Sequence, residues 1–148
     1  MNQVTSLYKG KLLRLYAQRI TLPNGARVSL EVISHPGAAL IIPFVAKDAI
    51  VLLTQFRPVI QKYLYELPAG TLNQNESPLS CARRELIEET GYTAKEFKKL
   101  GVCYPVPGYS TEKITIYKAM KLKKCVRSLE YDEIITIKTI SRHRVKLL

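Results

Sequence analysis

The chain has 148 residues, of which 47% are hydrophobic and 24% are charged, a composition typical of one soluble globular domain spanning residues 1–148. Its longest apolar run, residues 38–46, is too short to span a bilayer, and the amino terminus lacks the apolar core of a signal peptide. Three separated cysteines without a C-x-x-C pair argue against a disulfide framework and a zinc site, so a cytoplasmic location is expected.

The formal net charge of +11 predicts anionic partners. The basic residues form no recognisable RNA-binding or DNA-binding module. A basic field that attracts phosphorylated small molecules explains the charge at least as well. Nucleic acid is therefore kept as an alternative partner that is not favoured.

Apolar stretches predict strands along most of the chain, with Pro23-Asn24-Gly25 as a turn between the first two. The third and fourth strands are rich in Ile, Val and Leu with little alternation, as in a sheet covered on both faces. Pro43 predicts a bulge or an edge in the third strand. In chain order, the predicted strands cover residues 11–22, 26–33, 38–45, 49–55, 63–67, 101–104, 113–120 and 134–140, and residues 92–100 are interpreted as a polar connection.

One helix is predicted after the fifth strand, because Ser77 and Pro78 form a start signal and Gly91 forms a stop signal. At about 100° per residue, three glutamates fall within one third of its circumference, beside an apolar stripe. The glutamates are Glu85, Glu88 and Glu89, and the stripe is Leu79, Ala82 and Leu86.

Three crowded carboxylates need a counter-charge. Two of them about 4 Å apart repel by about 4 kcal/mol at an effective dielectric constant of about 20. A hard divalent cation such as Mg²⁺ or Mn²⁺ takes oxygen ligands and supplies that charge. The alternative is a solvated acidic face in which Arg84 pairs with Glu88 one helical turn later.

Residues 70–92 resemble the Nudix box, G-x5-E-x7-R-E-U-x-E-E-x-G-U, in which U is bulky and apolar. Gly70, Glu76 and the run 84–92 match the fixed positions. Tyr92 is a soft departure, because the family usually has an aliphatic residue at that position. The resemblance implies a loop-helix-loop that holds a divalent metal ion against a diphosphate.

The resemblance also implies roles for individual residues of this segment. Arg84 matches the arginine that orients the acids, and it is counted among the catalytic candidates together with Glu89. The implied metal ligands are Glu85, Glu88, Glu89 and the carbonyl of Ala69.

Three motifs outside the box resemble the ADP-ribose pyrophosphatase branch of the family, and this likeness covers roughly residues 31–120. They are Q-F-R-P with Arg57, E-L-P-A-G with Glu66, and a P-G-x-x-x-E loop with Pro107, Gly108 and Glu112.

Each of these motifs has a functional and a structural interpretation. Arg57 either makes a charge-assisted fork to phosphate or ribose oxygens or caps a strand end. Pro107 and Gly108 form a turn, and their loop is expected to contribute to substrate binding, with Glu66 as a further contact. Glu112 is either an exposed residue at a strand start or, by the resemblance, the leading candidate for the carboxylate that activates water as general base or completes the metal shell, with Glu89 as the substitute base.

The resemblance therefore implies metal-dependent cleavage of a nucleoside diphosphate-sugar, with ADP-ribose giving AMP and ribose 5-phosphate. Another diphosphate is the alternative, such as GDP-mannose, a dinucleotide polyphosphate or an RNA end. A noncatalytic module that binds nucleotide or nucleic acid is a third hypothesis, but its mark would be loss of the box acids, and none is lost.

The expected fold is of the α/β class, a Nudix-type α/β/α sandwich with a mixed sheet. Only residues 141–148 remain for the helical layer on the second face, so that layer is expected to be short. Members of this branch commonly pair through their amino-terminal strands, so residues 1–35 are a candidate dimerisation segment for a homodimer.

Overall fold

The structure is a computed structural model that describes residues 4–129, 131 and 133–145. It is built mostly of strands, with one full-length helix. The elements are β1 (Val4–Lys9), β2 (Arg14–Thr21), β3 (Arg27–Ser34), β4 (Ala38–Ala46), β5 (Ala49–Arg57), β6 (Lys62–Glu66), β7 (Ala69–Thr71), α1 (Pro78–Thr90), β8 (Tyr92–Cys103), β9 (Ile114–Lys124), β10 (Ile135–Ser141) and α2 (Arg142–Val145).

The first three strands form a small antiparallel sheet of their own, in the order β1-β2-β3. The predicted turn between β2 and β3 is confirmed. Gly25 has a φ of 85°, a value that glycine adopts without strain, and the N–H of Leu22 donates to the carbonyl of Ala26 at 2.8 Å. This sheet places the β1–β2 turn close to the cavity described below.

The remaining described strands form a larger sheet in the order β10-β5-β4-β9-β8, with β6 paired to β5 and β7 paired to β4. β4 and β9 run parallel, whereas the other pairs are antiparallel. The expected mixed sheet is therefore confirmed.

The strand β4 is central, although it contains Pro43. Its first half pairs with β7 and its last residues pair with β5, and the register shifts between Phe44 and Ala46. The predicted irregularity is thus a bulge beside Pro43, which is fully buried.

The helix α1 begins and ends where the sequence predicts. The side chain of Ser77 accepts a hydrogen bond from the N–H of Ser80 at 3.1 Å, and Pro78 is the first helical residue. At the other end, Gly91 has a φ of 66°, and its N–H donates to the carbonyl of Ile87 at 2.8 Å. The apolar face packs on β4 and β9, and the fully buried members of that contact are Ala39, Ile41, Cys81, Ala82, Leu86 and Ala119.

The prediction for residues 92–100 is wrong, because this segment is the first part of the long strand β8. Tyr92, Ala94 and Phe97 pack against the core under α1. The lysines and the glutamate between these residues made the segment look polar. A strand, however, packs on a core through one face only, and a few alternating apolar residues are enough for that contact. Two short elements, β1 and β7, were also not predicted.

The second face of the larger sheet carries no full helical layer within the described residues. The one element in that position along the chain is α2, a helix of four residues that follows β10. The expected fold class and the short second layer are therefore confirmed. None of the described helices is long and apolar enough to cross a membrane.

Candidate active site

A cavity of about 1010 Å³ lies between the acidic side of α1 and the small sheet. One wall consists of Ala69 and Gly70 of β7 and the side chains of α1. The residues of α1 that line it are Arg84, Glu85, Glu88 and Glu89. The chain thus brings together the box acids, Arg84 and Ala69, as the sequence predicts.

The first glycine of the box is explained by a close approach between β7 and α1. A Cβ atom on Gly70 would lie 1.7 Å from Oε1 and 1.9 Å from Cδ of Glu85. The sulfur of Cys81, one turn earlier on α1, contacts the carbonyl of Gly70 at 3.3 Å. Only glycine therefore lets the Glu85 carboxyl lie against the backbone of β7.

Arg84 ties the loop before α1 to two of the box acids. Its Nε and Nη2 donate to the two oxygens of Glu76, each at 2.9 Å, in a bidentate ion pair. Its Nη1 donates to Glu85 at 2.6 Å and to Glu88 at 2.9 Å, and its Nη2 also reaches the carbonyl of Thr71 at 3.2 Å. The hydrogen bond from Arg84 holds the pKa of Glu76 below its ordinary value.

Arg84 forms an ion pair with Glu88. This is the pairing expected if the acids were only a solvated face of the helix. Burial, however, distinguishes the acids from an ordinary solvated face. Glu85 is 8% exposed and Glu89 is 3% exposed. Because burial disfavours the charged form, the pKa of Glu85 is raised even though Arg84 opposes the shift.

Glu89 is the most strongly perturbed acid of the site. Burial raises its pKa to about 8, and the N–H of Ala69, which donates to Oε2 of Glu89 at 2.9 Å, opposes that rise. The negative charges of Glu85 and Glu133 also contribute to this raised pKa. The peptide of Ala69 thus contacts the site through its N–H, and its carbonyl remains a predicted metal ligand.

The carboxylate oxygens of this site are the ligands that a hard divalent cation prefers. The raised pKa values show that the buried carboxylates have too little positive charge around them, and a cation would supply it. In the present conformation, no group of three or more His, Cys, Asp or Glu side chains of the described residues converges closely enough to hold a metal ion. Arg84 engages Glu85 and Glu88, and Glu89 is turned towards the Ala69 N–H. The residues fit a metal ion chemically, and binding requires the carboxylates to reorient.

Arg57 and Glu66 are the last residues of β5 and β6, and their side chains meet although Glu66 pairs with Leu53 and Arg57 pairs with Lys62 in the strand register. The Nε of Arg57 donates to Glu66 at 2.8 Å and its Nη2 at 2.5 Å, which forms a bidentate ion pair. Arg57 also lines the cavity, and 45% of its side chain is exposed. Glu66 is not among the described lining residues, and its two carboxylate oxygens hold the guanidinium of Arg57.

The loop that carries Pro107, Gly108 and Glu112 lies beside the cavity but not in it, since none of the three is among the described lining residues. The loop docks on the end of β3, where the N–H of Ile33 donates to the carbonyl of Tyr109 at 2.7 Å. It thereby supports the lining segment that follows β3.

Glu133 is a residue of the cavity that the sequence reasoning missed. It lies just before β10 and lines the same cavity as Glu85, Glu88 and Glu89, more than forty residues away in sequence. One signal was available. After residue 112 the chain carries acidic residues only within 130–133, directly before a predicted strand.

Cationic side chains that also line the cavity were not predicted. Lys11 of the β1–β2 turn and Arg14 at the start of β2 line it, as does His35 after β3. The Nδ1 atom of His35 accepts a hydrogen bond from the N–H of Gly37 at 3.1 Å. The cavity is therefore lined by both carboxylates and cationic side chains.

Comparisons with known proteins agree with this geometry. The NUDIX domain family profile matches residues 34–138. ADP-ribose pyrophosphatase from Bacillus subtilis (strain 168) is 36% identical over 127 residues, which cover 86% of this chain and 69% of that protein. GDP-mannose pyrophosphatase from Citrobacter koseri is 34% identical over 140 residues, covering 80% of this chain and 70% of that protein.

A solved structure described as an ADP compounds hydrolase superposes with a TM-score of 0.81 over 97% of this chain and 78% of that chain, at 21% identity, and it supports the fold. The chain belongs to the Nudix family and is a Nudix hydrolase. That family generally uses divalent metal ions.

The contact between Gly70 and Glu85 predicts that adding one methyl group at position 70 impairs the site. We expect Gly70→Ala to displace the Glu85 carboxyl, because the new Cβ overlaps it, and to lower kcat for a diphosphate substrate by about a hundredfold. Gly101→Ala is the matched control, since a Cβ there meets no atom within 4 Å. Steady-state kinetics and circular dichroism of both variants test this. Wild-type kcat in folded Gly70→Ala would contradict the proposed placement.

The raised pKa of Glu89 predicts a pH-dependent stability of the metal-free protein. The folded-state pKa of about 8 exceeds the ordinary value of 4.5, so wild type loses stability relative to Glu89→Gln as pH rises from about 4.5 to 8. The difference grows by at most about 1.4 kcal/mol per pH unit. Urea unfolding in EDTA at several pH values measures it. A constant difference across this range would show that Glu89 is not a buried, poorly compensated carboxylate.

Proposed function

We propose that this protein hydrolyses the diphosphate bond of a nucleoside diphosphate-sugar, with ADP-ribose as the best substrate. The observation that carries this proposal is the mixed charge of one cavity, which is lined both by the box acids and by Arg57, Lys11 and Arg14. A diphosphate needs a metal-binding end and cationic side chains for its remaining oxygens. Relatives named ADP-ribose pyrophosphatase and GDP-mannose pyrophosphatase support this substrate class.

Mg²⁺ or Mn²⁺ is the proposed cofactor, with Glu85, Glu88, Glu89 and the Ala69 carbonyl as its ligands. Such an ion offsets charge on the phosphate oxygens and lowers the pKa of water. Arg84 restrains Glu85 and Glu88 at one edge of the site and thereby limits the positions that their carboxylates adopt. Arg57, fixed by Glu66, is aimed into the cavity as a fork for phosphate oxygens.

In the proposed reaction, water attacks one phosphorus and the bond from that phosphorus to the bridging oxygen breaks. The bridging oxygen leaves on the second phosphate, so ADP-ribose gives AMP and ribose 5-phosphate. A carboxylate takes the proton that the water loses. Glu133 is the strongest candidate for this base, because it lines the cavity together with the box acids. Glu112, the leading candidate from the sequence, lies in the supporting loop, and Glu89 is the remaining alternative.

A substrate panel tests the proposed function. We expect ADP-ribose to be hydrolysed with a higher kcat/KM than GDP-mannose, diadenosine polyphosphate or capped RNA in the presence of Mg²⁺, and EDTA to abolish turnover. Chromatography of the products distinguishes cleavage of the diphosphate from other cleavages. Preference for GDP-mannose would favour the second candidate substrate, and binding without turnover of any member would contradict the hydrolase proposal.

The assignment of the base is tested by two matched substitutions. We expect Glu133→Gln to lower kcat by about a hundredfold with little change in KM, and Glu112→Gln to have a smaller effect on kcat. The pH profile of kcat should lose its lower limb only in the variant that lacks the base. A larger loss in Glu112→Gln than in Glu133→Gln would return the role to the loop that carries Pro107 and Gly108.

We also propose that the protein is a homodimer that pairs through the small sheet. Every residue of β1 is exposed, and its apolar side chains include Val4, Leu7 and Tyr8, which are 57%, 51% and 62% exposed. Sedimentation analysis should give a mass of two chains. The double substitution Leu7→Glu and Tyr8→Glu should give one chain, and a monomeric wild type would contradict the proposal.

A further inference from the structure

The connection between β9 and β10 passes the carboxyl end of α1. The two strands are separated in the larger sheet by β4 and β5, so the chain crosses this distance after Lys124. At the start of the crossing, the N–H of Cys125 donates to the carbonyl of Gly91 at 2.8 Å. The connection is thus fixed to the residue that ends α1, two positions after Glu89.

Gly91 lets the connection pack closely on this end of the helix. A Cβ atom on Gly91 would lie 3.2 Å from the carbonyl oxygen of Cys125 and 3.3 Å from the Cβ of Arg127. Because glycine has no side chain, the backbone that carries Arg127 lies directly against the end of α1.

The guanidinium of Arg127 extends from this point to the start of β10. Its Nη1 and Nη2 atoms both donate to the carbonyl of Ile135, each at 3.3 Å. Ile135 is the first residue of β10, is 6% exposed and pairs with Gln55 of β5. Arg127 therefore links the end of α1 to the strand residue that lies two positions after Glu133.

The start of β10 has a second attachment, which comes from β5. The N–H of Phe56 donates to the carbonyl of Ile134 at 3.1 Å. The two carbonyls that follow Glu133 are thus held by different parts of the chain, one by β5 and the other by Arg127. Since Glu133 directly precedes them, its position in the cavity depends on both contacts.

The charges of two cavity acids also act on Arg127. Burial lowers the pKa of its guanidinium, and the negative charges of Glu89 and Glu133 oppose this shift. Its Nε is buried and has no hydrogen-bond partner among the described residues. A buried guanidinium is costly, and the nearby acids offset part of that cost. Arg127 is not among the described lining residues, so it affects the cavity through the residues that line it.

The alternative is an arginine that only closes the connection over the core. Its removal would then loosen the fold and impair all properties of the site together. A positioning role predicts instead a loss that is confined to the function of Glu133. The two interpretations therefore differ in whether the loss depends on Glu133.

We propose that Arg127 is a positioning residue that holds Glu133 in place relative to the box acids, by joining the end of α1 to the carbonyl of Ile135. This inference rests on the proposed function, in which Glu133 is the general base. A base acts only when its carboxylate is within hydrogen-bonding reach of the water, so a displaced start of β10 lowers kcat. Other residues bind the substrate, and KM therefore stays nearly constant.

Substitutions of Arg127 test the effect on turnover. Arg127→Met removes the guanidinium and keeps an aliphatic stem, and we expect it to lower kcat by about tenfold with KM within about twofold. Arg127→Lys should recover part of this loss, because its ammonium donates to the same carbonyl. The matched controls are Val126→Ala, at a position that is 87% exposed on the same connection, and Arg83→Met, at an exposed position of α1. Both should keep kcat within about twofold of wild type.

A double-mutant cycle with Glu133→Gln separates positioning from general stability. In the Glu133→Gln background, Arg127→Met should lower kcat by less than about twofold more, because the group that it positions is already missing. A merely structural role predicts the same loss, about tenfold, in both backgrounds.

Amide hydrogen exchange of the full chain gives a readout that needs no substrate. Arg127→Met should speed exchange of the Phe56 amide, whose acceptor is the carbonyl of Ile134, by at least about tenfold. The amide of Ile41, which donates to the carbonyl of Pro68 at 2.8 Å in the core, should exchange as in wild type. Arg127→Gln is the second variant if Arg127→Met fails to fold.

Three outcomes would overturn the proposal. They are unchanged exchange at Phe56, equal losses of kcat in the two backgrounds, and a loss in either control as large as that in Arg127→Met. A wild type that hydrolyses no diphosphate would instead refute the proposed function, and exchange at Phe56 would then decide whether Arg127 holds the start of β10.

Discussion

The close approach of α1 to β7 at Gly70 is the constraint on which the site depends. Cys81 and Leu86 anchor the helix in the core, and the Glu85 carboxyl occupies the space that a side chain at position 70 would fill. The same packing removes Glu85 and Glu89 from water and raises their pKa values. In their charged form the acids therefore lie in a position whose electrostatic cost a cation would offset.

Arg84 supplies part of that positive charge and also determines the shape of the loop before the helix. Its bidentate pair with Glu76 fixes the segment between β7 and α1, and its other bonds hold Glu85 and Glu88. One arginine thus links the loop, the helix and Thr71. This explains physically why an arginine and a glutamate eight residues apart belong to the same motif, because a lysine does not present the planar fork that pairs with both carboxylate oxygens.

Local signals were sufficient for the parts of the structure whose interactions are local. The ends of α1 are capped by Ser77, Pro78 and Gly91 through contacts within a few residues. The sequence therefore predicts these ends. Residues 92–100 were misread because their strand is defined by pairing with β9, some twenty-five residues away. Glu133 was missed for the same reason, since its place in the cavity depends on β10 joining the edge of β5.

The sequence by itself determined the family, the acidic helix and the glutamates proposed as metal ligands, because spacing along one helix fixes which side chains share a face. Only the tertiary structure decided which distant groups complete the cavity. It placed Glu133, Lys11, Arg14 and His35 there and left Glu112 in a supporting loop. Sheet order and packing between distant segments determine these features, and no local pattern encodes them.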